Sequence, residues 1–154
     1  MNDISSLEAS TSSPVSTADA GIPLIFRILG AARELQTRLE SALDEIGLST
    51  GKVGVLKTLA QAGEPLPLSE LAECSKCVRS NVTQLVDRLE ADGLVRRVDD
   101  PDDRRVTRAS LTHEGRKAFI QAKKVISLQE REIFRVLSDE EAAALVRVLE
   151  QLTS

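Results

Sequence analysis

The stretch LVRRVDDPDDRRVTRASL, Leu94 to Leu111, decides how the rest of the chain is read. Its ends, LVRRV (94–98) and VTRASL (106–111), read as two short β-strands. Between them, Asp100-Pro101-Asp102-Asp103 suits a β-turn, with Asp at the first position and Pro at the second. Arg104, Arg105 and Arg108 follow directly. Charge this dense is most often only a solvated loop. Set as a block behind a tight acidic turn, it has a more specific use. Aspartates there can accept hydrogen bonds from turn amides and brace an arginine side chain. The arginines are then carried, preorganised, on one arm of a hairpin, where cations suit a narrow, electronegative minor groove.

What precedes the hairpin strengthens this reading. SELAECS, from Ser69, is a short helix, and VRSNVTQLVDRLEADGLV is a second one with Val82, Leu85, Val86 and Leu89 on its apolar face and Gly93 as its C-cap. Two helices joined by a turn of three or four residues and followed by a hairpin make a winged helix-turn-helix. Placing Val82 at the centre of the buried face puts Ser80, Thr83, Gln84 and Asp87 opposite it, with Asn81 and Arg88 on the flank. Hydroxyls and amides near a helix N-terminus suit base edges in a major groove, and a glutamine can pair bidentately with adenine. Asp87 would repel phosphate unless Arg88 or another arginine neutralises it. A bland reading stands beside this one, because any exposed helix shows polar residues.

Working outward, residues 2–20 are rich in Ser, Thr and Ala without a sustained period and read as a disordered tail. From Pro23 a stripe at intervals of three or four (Ile25, Phe26, Leu29, Ala32, Leu35, Leu39, Leu43, Ile46) predicts a long amphipathic helix ended by Gly47. Ser49 or Thr50 can cap a second helix that stops at Gly63, and Pro65 and Pro67 punctuate the link to SELAECS. Thr112 can cap a long helix to about Leu137, and Ser138 with Glu141 forms a capping box for the last one. The predicted fold is therefore mainly α with a small β-hairpin wing, in one domain over 21–154. Its winged helix-turn-helix spans about 48–111, between long helices at about 22–46 and 112–152. Those terminal stripes exceed what a small winged-helix core can bury. Phe119, Ala122, Val125, Ile126, Ile133, Phe134, Leu145, Val146, Leu149 and Leu152 call for a partner surface, which two-fold pairing of identical chains supplies.

Composition sets the outer limits. The chain has 154 residues, enough for one real core and too few for two ordinary ones. No apolar run approaches the roughly 18 residues of a membrane helix, and no basic and apolar leader marks the start for export, so the cytoplasm is expected. The net charge of -4 argues against nucleic acid as a bulk figure, but its distribution matters more. From Lys76 to Arg108 there are 8 basic and 7 acidic residues, against 20 and 24 in the whole chain. That asymmetry permits a nucleic-acid face. Enzymatic function has little support: His113 is the one histidine, and neither a nucleophile motif nor a phosphate loop is present. No cofactor is expected.

The pattern LVDRLEADGLVRRVDDPDDRRVTRASLTHEG, residues 85–115, closely resembles the signature of MarR-family regulators, and the likeness in helix order extends from about Pro23 to Leu152. It implies a homodimeric winged helix-turn-helix, a sequence-specific transcriptional regulator and repressor, with the terminal helices as dimer interface and double-stranded DNA as partner. It further implies that Asp103 and Arg105 match the family's wing aspartate and minor-groove arginine, and that Ser80 to Arg88, together with Arg79 just before them, lie along the recognition helix. Such regulators often answer to a small-molecule effector held between the dimer and DNA-binding lobes. The turn departs from the pattern: Lys76 stands where glycine is typical, and Val78 where a capping serine is. Cys74 and Cys77 form a CxxC at that turn. Zinc would need two more ligands and a thioredoxin-like motif would need a βαβ unit, which leaves packing residues or a thiol switch. A winged helix used as a protein-interaction module, with Asp87 and the acidic wing docking a basic partner, is the alternative from another class.

Overall fold

The structure, a computed structural model, describes residues 21–74, 82–101, 103 and 105–153. The expected tail at 1–20 and most of the helix-turn-helix turn lie outside the described residues. The chain divides into two compact units, residues 1–34 and 35–154. The first holds the beginning of α1 (Leu24–Asp44), and Ile25, Phe26 and Leu29 are exposed on it.

The second unit continues α1 and adds α2 (Thr50–Ala62), β1 (Leu66–Pro67), α3 (Leu68–Cys74), α4 (Val82–Ala91), β2 (Val95–Asp99), β3 (Thr107–Leu111), α5 (His113–Phe134) and α6 (Asp139–Thr153). Local chemistry sets these limits. Of the two candidate caps for α2 it is Ser49 whose hydroxyl accepts the Lys52 N–H, and the helix stops at Gly63. α4 ends at Gly93, whose φ of 72° only glycine adopts without strain. The amides of Gly93 and Leu94 return to the Glu90 and Leu89 carbonyls, closing a Schellman turn that delivers the chain into β2. Thr112 caps α5 by accepting the Gly115 N–H at 3.0 Å. α5 stops three residues short of the expected Leu137, whose amide folds back onto the Phe134 carbonyl.

α6 opens with the capping box expected of Ser138 and Glu141: the Glu141 carboxylate takes the Ser138 N–H at 2.8 Å and the Ser138 hydroxyl takes the Glu141 N–H at 3.3 Å. The Ser138 amide, and then its hydroxyl, hold the Glu141 carboxyl below its ordinary range. A depressed carboxyl of this kind supports the helix start at neutral pH and loses that role as pH falls through its lowered folded-state value.

The wing is larger than a hairpin. β2 and β3 pair antiparallel from Val95↔Leu111 to Asp99↔Thr107, and β1 adds a third strand through Leu66↔Ala109 and Pro67↔Arg108. The prolines that read as mere punctuation thus belong to a strand. It lies at the sheet edge, where the missing N–H of Pro67 costs no ladder bond.

α2 lies at the centre, packed against α4, α5 and β3, and the fully buried Leu43, Val55, Leu56, Leu71, Val86, Leu89 and Val95 fill the space between them. This packing corrects part of the expected partner surface. Ala122 is buried, and Phe119, Val125 and Ile126 pack against the same core, because α5 lies over α2 and β3. Of the expected set, Ile133 is half-buried and Phe134, Leu145, Val146, Leu149 and Leu152 remain exposed, at the end of α5 and along α6; Ile120 and Leu128 are exposed on α5 as well.

Candidate nucleic-acid interface

α4 turns Val82, Val86 and Leu89 into the core, so its 3.6-residue period carries Thr83, Gln84, Asp87 and Arg88 to solvent. Thr83, Gln84 and Asp87 were expected opposite Val82 and Arg88 on the flank, and all four are exposed. Arg79, Ser80 and Asn81 lie outside the described residues, as does Arg104.

The acidic residues of this face are not left to repel an anion. Arg97, on β2, reaches across to α4 and pairs with both Asp87 and Glu90, and its own amide donates to Glu90 at 3.1 Å. The Asp87 carboxylate, against some opposing desolvation and with help from Glu90, holds the Arg97 guanidinium protonated even more firmly than usual. The sequence called for an arginine to neutralise Asp87; it is this one, from the wing, rather than Arg88. The same contacts clamp the wing to α4, so that the two present one surface. Sequence reasoning assigned Arg97 no role. The strand parity that places it beside α4 depends on a register that only the folded hairpin fixes.

The wing tip is built on Asp100, the one buried charged residue among those described, at 7% exposure. One carboxylate oxygen accepts the Asp103 N–H at 3.0 Å and the other accepts the Arg108 Nε–H. Arg108 also donates to the Pro65 carbonyl at 3.3 Å. Arg108 was expected among the DNA contacts, yet its guanidinium is engaged inside the wing, joining the turn to β1. The brace foreseen for the aspartates is therefore Asp100 on Arg108. Asp103 has a different partner: its carboxylate accepts the backbone N–H of Arg105 at 2.9 Å. That bond fixes the main chain at Arg105, whose side chain is exposed and makes no hydrogen bond or ion pair among the described residues.

The base of the wing is locked to α5. The Leu94 carbonyl accepts the Thr112 N–H at 3.1 Å, the Thr112 hydroxyl lies 2.8 Å from the Gly93 carbonyl oxygen and 3.1 Å from that of Leu94, and Gly115 packs so closely on the Leu94 carbonyl that a Cβ would lie 2.0 Å from its oxygen. Cys74 is the last residue of α3, and Cys77 lies outside the described residues. Among the described residues no cluster of three or more His, Cys, Asp or Glu could hold a metal ion. No described helix is long and apolar enough to cross a membrane.

A helix-turn-helix frame, a clamped three-stranded wing and an outward cation at its tip define a winged helix-turn-helix of the kind that engages nucleic acid. Comparison with known proteins agrees. The MarR family model matches residues 48–107. The HTH-type transcriptional regulator PrsX of Escherichia coli is 36% identical over 92 residues, covering 59% of this chain and 55% of that protein. The uncharacterized HTH-type transcriptional regulator YkoM of Bacillus subtilis is 30% identical over 107 residues, covering 70% of this chain and 69% of that protein. Among solved structures, a MarR-like transcription regulator from Bacillus cereus superposes with a TM-score of 0.76 at 28% identity, over 84% of this chain and 93% of that one. A MarR variant from Escherichia coli complexed with operator DNA has the same fold, with a TM-score of 0.74 at 22% identity over 86% of this chain and 95% of that one. The chain belongs to the MarR family, whose matched members are transcriptional regulators and not enzymes. It spans about half the length of PrsX, at 55%.

Proposed function

We propose that the chain is a cytoplasmic, sequence-specific DNA-binding regulator, a repressor, that acts as a homodimer on a pseudo-palindromic operator. The observation that carries this reading is the pairing of an exposed Arg105, fixed by Asp103, with the exposed Thr83, Gln84 and Arg88 of a recognition helix clamped to the same wing by Arg97. The helix enters a major groove and the wing arginine an adjacent minor groove. Arg79, Ser80, Asn81 and Arg104 belong to the same proposed contact set by their place in the sequence. The alternative, a protein-docking module that uses Asp87 and the acidic wing, loses its docking charges, because Asp87 and Asp100 are already paired with Arg97 and Arg108. Salt-dependent binding to the duplex upstream of the chain's own gene is the test, since phosphate contacts release counterions. Binding that does not weaken as salt rises would defeat the reading.

The exposed apolar residues at the end of α5 and along α6 are the proposed dimer surface. Light scattering at micromolar concentration is expected to give twice the chain mass. A monomer that still binds DNA normally would rule the dimer out.

Arg97→Ala is expected to weaken operator binding roughly fivefold, the scale of an exposed ion pair, because it uncovers Asp87 and Glu90 beside the DNA. Arg97→Lys should restore part of that loss. Equal operator affinity for all three proteins in a titration would show that the clamp has no part in binding.

A small-molecule effector is the second half of the proposal. A groove of about 620 Å³ lies between the second half of α1, α2 and α5, with Leu39, Ile126 and Phe134 among its apolar walls. Its volume suits a drug-sized ligand. The first turn of α2, which lines it, also carries Lys52, whose ammonium reaches Asp92 just past the end of α4 at 2.7 Å. Occupation of the groove thus bears on the helix that meets DNA.

A further inference from the structure

The polar lining of this groove is one-sided. Among the described residues it consists of Gln36, Thr50, Gln129 and Glu130, with no lysine, arginine or histidine. Thr50 is already committed. Its hydroxyl donates to the half-buried Glu40 carboxylate on α1, which also takes the Thr50 N–H at 3.2 Å. A hydroxyl has a single proton to give, so toward the groove the Thr50 oxygen offers only lone pairs. Glu130, on α5, is exposed and makes no hydrogen bond or ion pair among the described residues. An ionised carboxylate accepts and never donates. Two acceptors therefore face a ligand from two different walls, α2 and α5, and a second carboxylate stands directly behind Thr50. The glutamine amides can turn to suit either kind of partner. A carboxylate or phenolate placed here would meet the like charge of Glu130 with no cation among the described lining residues to offset it. An ammonium would meet acceptors at both walls while its hydrocarbon body covered the leucine, isoleucine and phenylalanine side chains.

We propose that this groove selects lipophilic cations bearing N–H donors, the arylalkylammonium class, over carboxylates and phenolates. The proposal rests on the reading of the groove as an effector site and adds to it the sign of the effector's charge. Three probes of similar size separate the two: 1-naphthylmethylammonium, 1-naphthylmethanol and 1-naphthoate. Their affinities for the full chain, and for Glu130→Gln, are measured by calorimetry at one salt concentration, and operator affinity is then measured with each probe at saturation. Glu130 is exposed on a helix and its amide isostere keeps the shape, so the variant is checked for unchanged helicity by circular dichroism. The ammonium should bind tighter than the naphthoate by about tenfold or more, and Glu130→Gln should shrink that ratio several-fold, the scale of one partly screened charge contact reversed in sign. Naphthoate binding as tightly as the ammonium would overturn the charge selection and leave the effector groove standing. A cation preference that Glu130→Gln leaves intact would move the site elsewhere and overturn the proposal. Tight, Glu130-dependent binding of the ammonium with no change in operator affinity would keep the charge selection and overturn the effector reading. No binding by any probe would overturn both.

Discussion

Gly115→Ala is expected to destabilise the protein by about 3 kcal/mol, at the upper end of what overpacking one methyl group costs. The added Cβ would lie 2.0 Å from the Leu94 carbonyl oxygen, 3.0 Å from its carbon and 2.8 Å from Leu111 Cδ2. The leucine side chain can rotate away. The carbonyl cannot move freely, since it accepts the Thr112 amide and is followed directly by β2. Relief therefore requires lifting the first turn of α5 off the base of the wing, which breaks the cap and opens the sheet at β2. Urea unfolding of the two proteins measures the cost. A midpoint unchanged by the substitution would mean that wing and α5 are not packed as described.

The second large effect is on DNA. Arg105→Ala should weaken operator binding by about 1–3 kcal/mol, the scale of one lost groove contact, while leaving the unfolding midpoint near that of the parent. Asp103→Ala should act in the same direction and less strongly, because it removes the hydrogen bond that fixes the Arg105 backbone but leaves the cation in place. Arg108→Ala should behave differently from both. It takes the arginine cation away from the buried Asp100, which keeps the Asp103 N–H, and unties the turn from β1, so its main cost falls on folding. Anisotropy titrations at one fixed salt concentration, paired with unfolding curves, separate the cases. Parental affinity in Arg105→Ala would refute the wing assignment.

Much of this was legible in the chain because local chemistry wrote it there. Ser49, Gly63, Gly93, Thr112 and the Ser138–Glu141 box are short-range signals, and each sets a helix end close to where the residues alone place it. The exposed set Thr83, Gln84, Asp87 and Arg88 follows from one period and one buried valine. What the sequence did not reveal depends on distant partners. β1 exists because Leu66 and Pro67 meet Ala109 and Arg108, some forty residues away, and two residues with a proline carry no strand signal of their own. The block of arginines looked uniform, yet pairing splits it by function. Arg97 turns to α4, Arg108 turns inward to Asp100 and Pro65, and Arg105 faces out. Likewise the apolar stripe of α5 reads as continuous, although Phe119, Ala122, Val125 and Ile126 turn into the chain's own core and Ile120, Leu128 and Phe134 are left exposed. The groove at α1, α2 and α5 joins residues from Leu35 to Phe134 and has no linear signature.

The most direct test of the DNA-binding reading is selection of binding sites from a random pool of duplexes by the full chain, followed by footprinting of the enriched sequence. The expected result is a pseudo-palindrome whose half-sites lie about one helical turn, roughly 10 bp, apart, protected by two chains per duplex and lost in parallel with affinity in Arg105→Ala. Enrichment of no sequence, or of a single half-site bound by one chain as tightly as the whole, would contradict it.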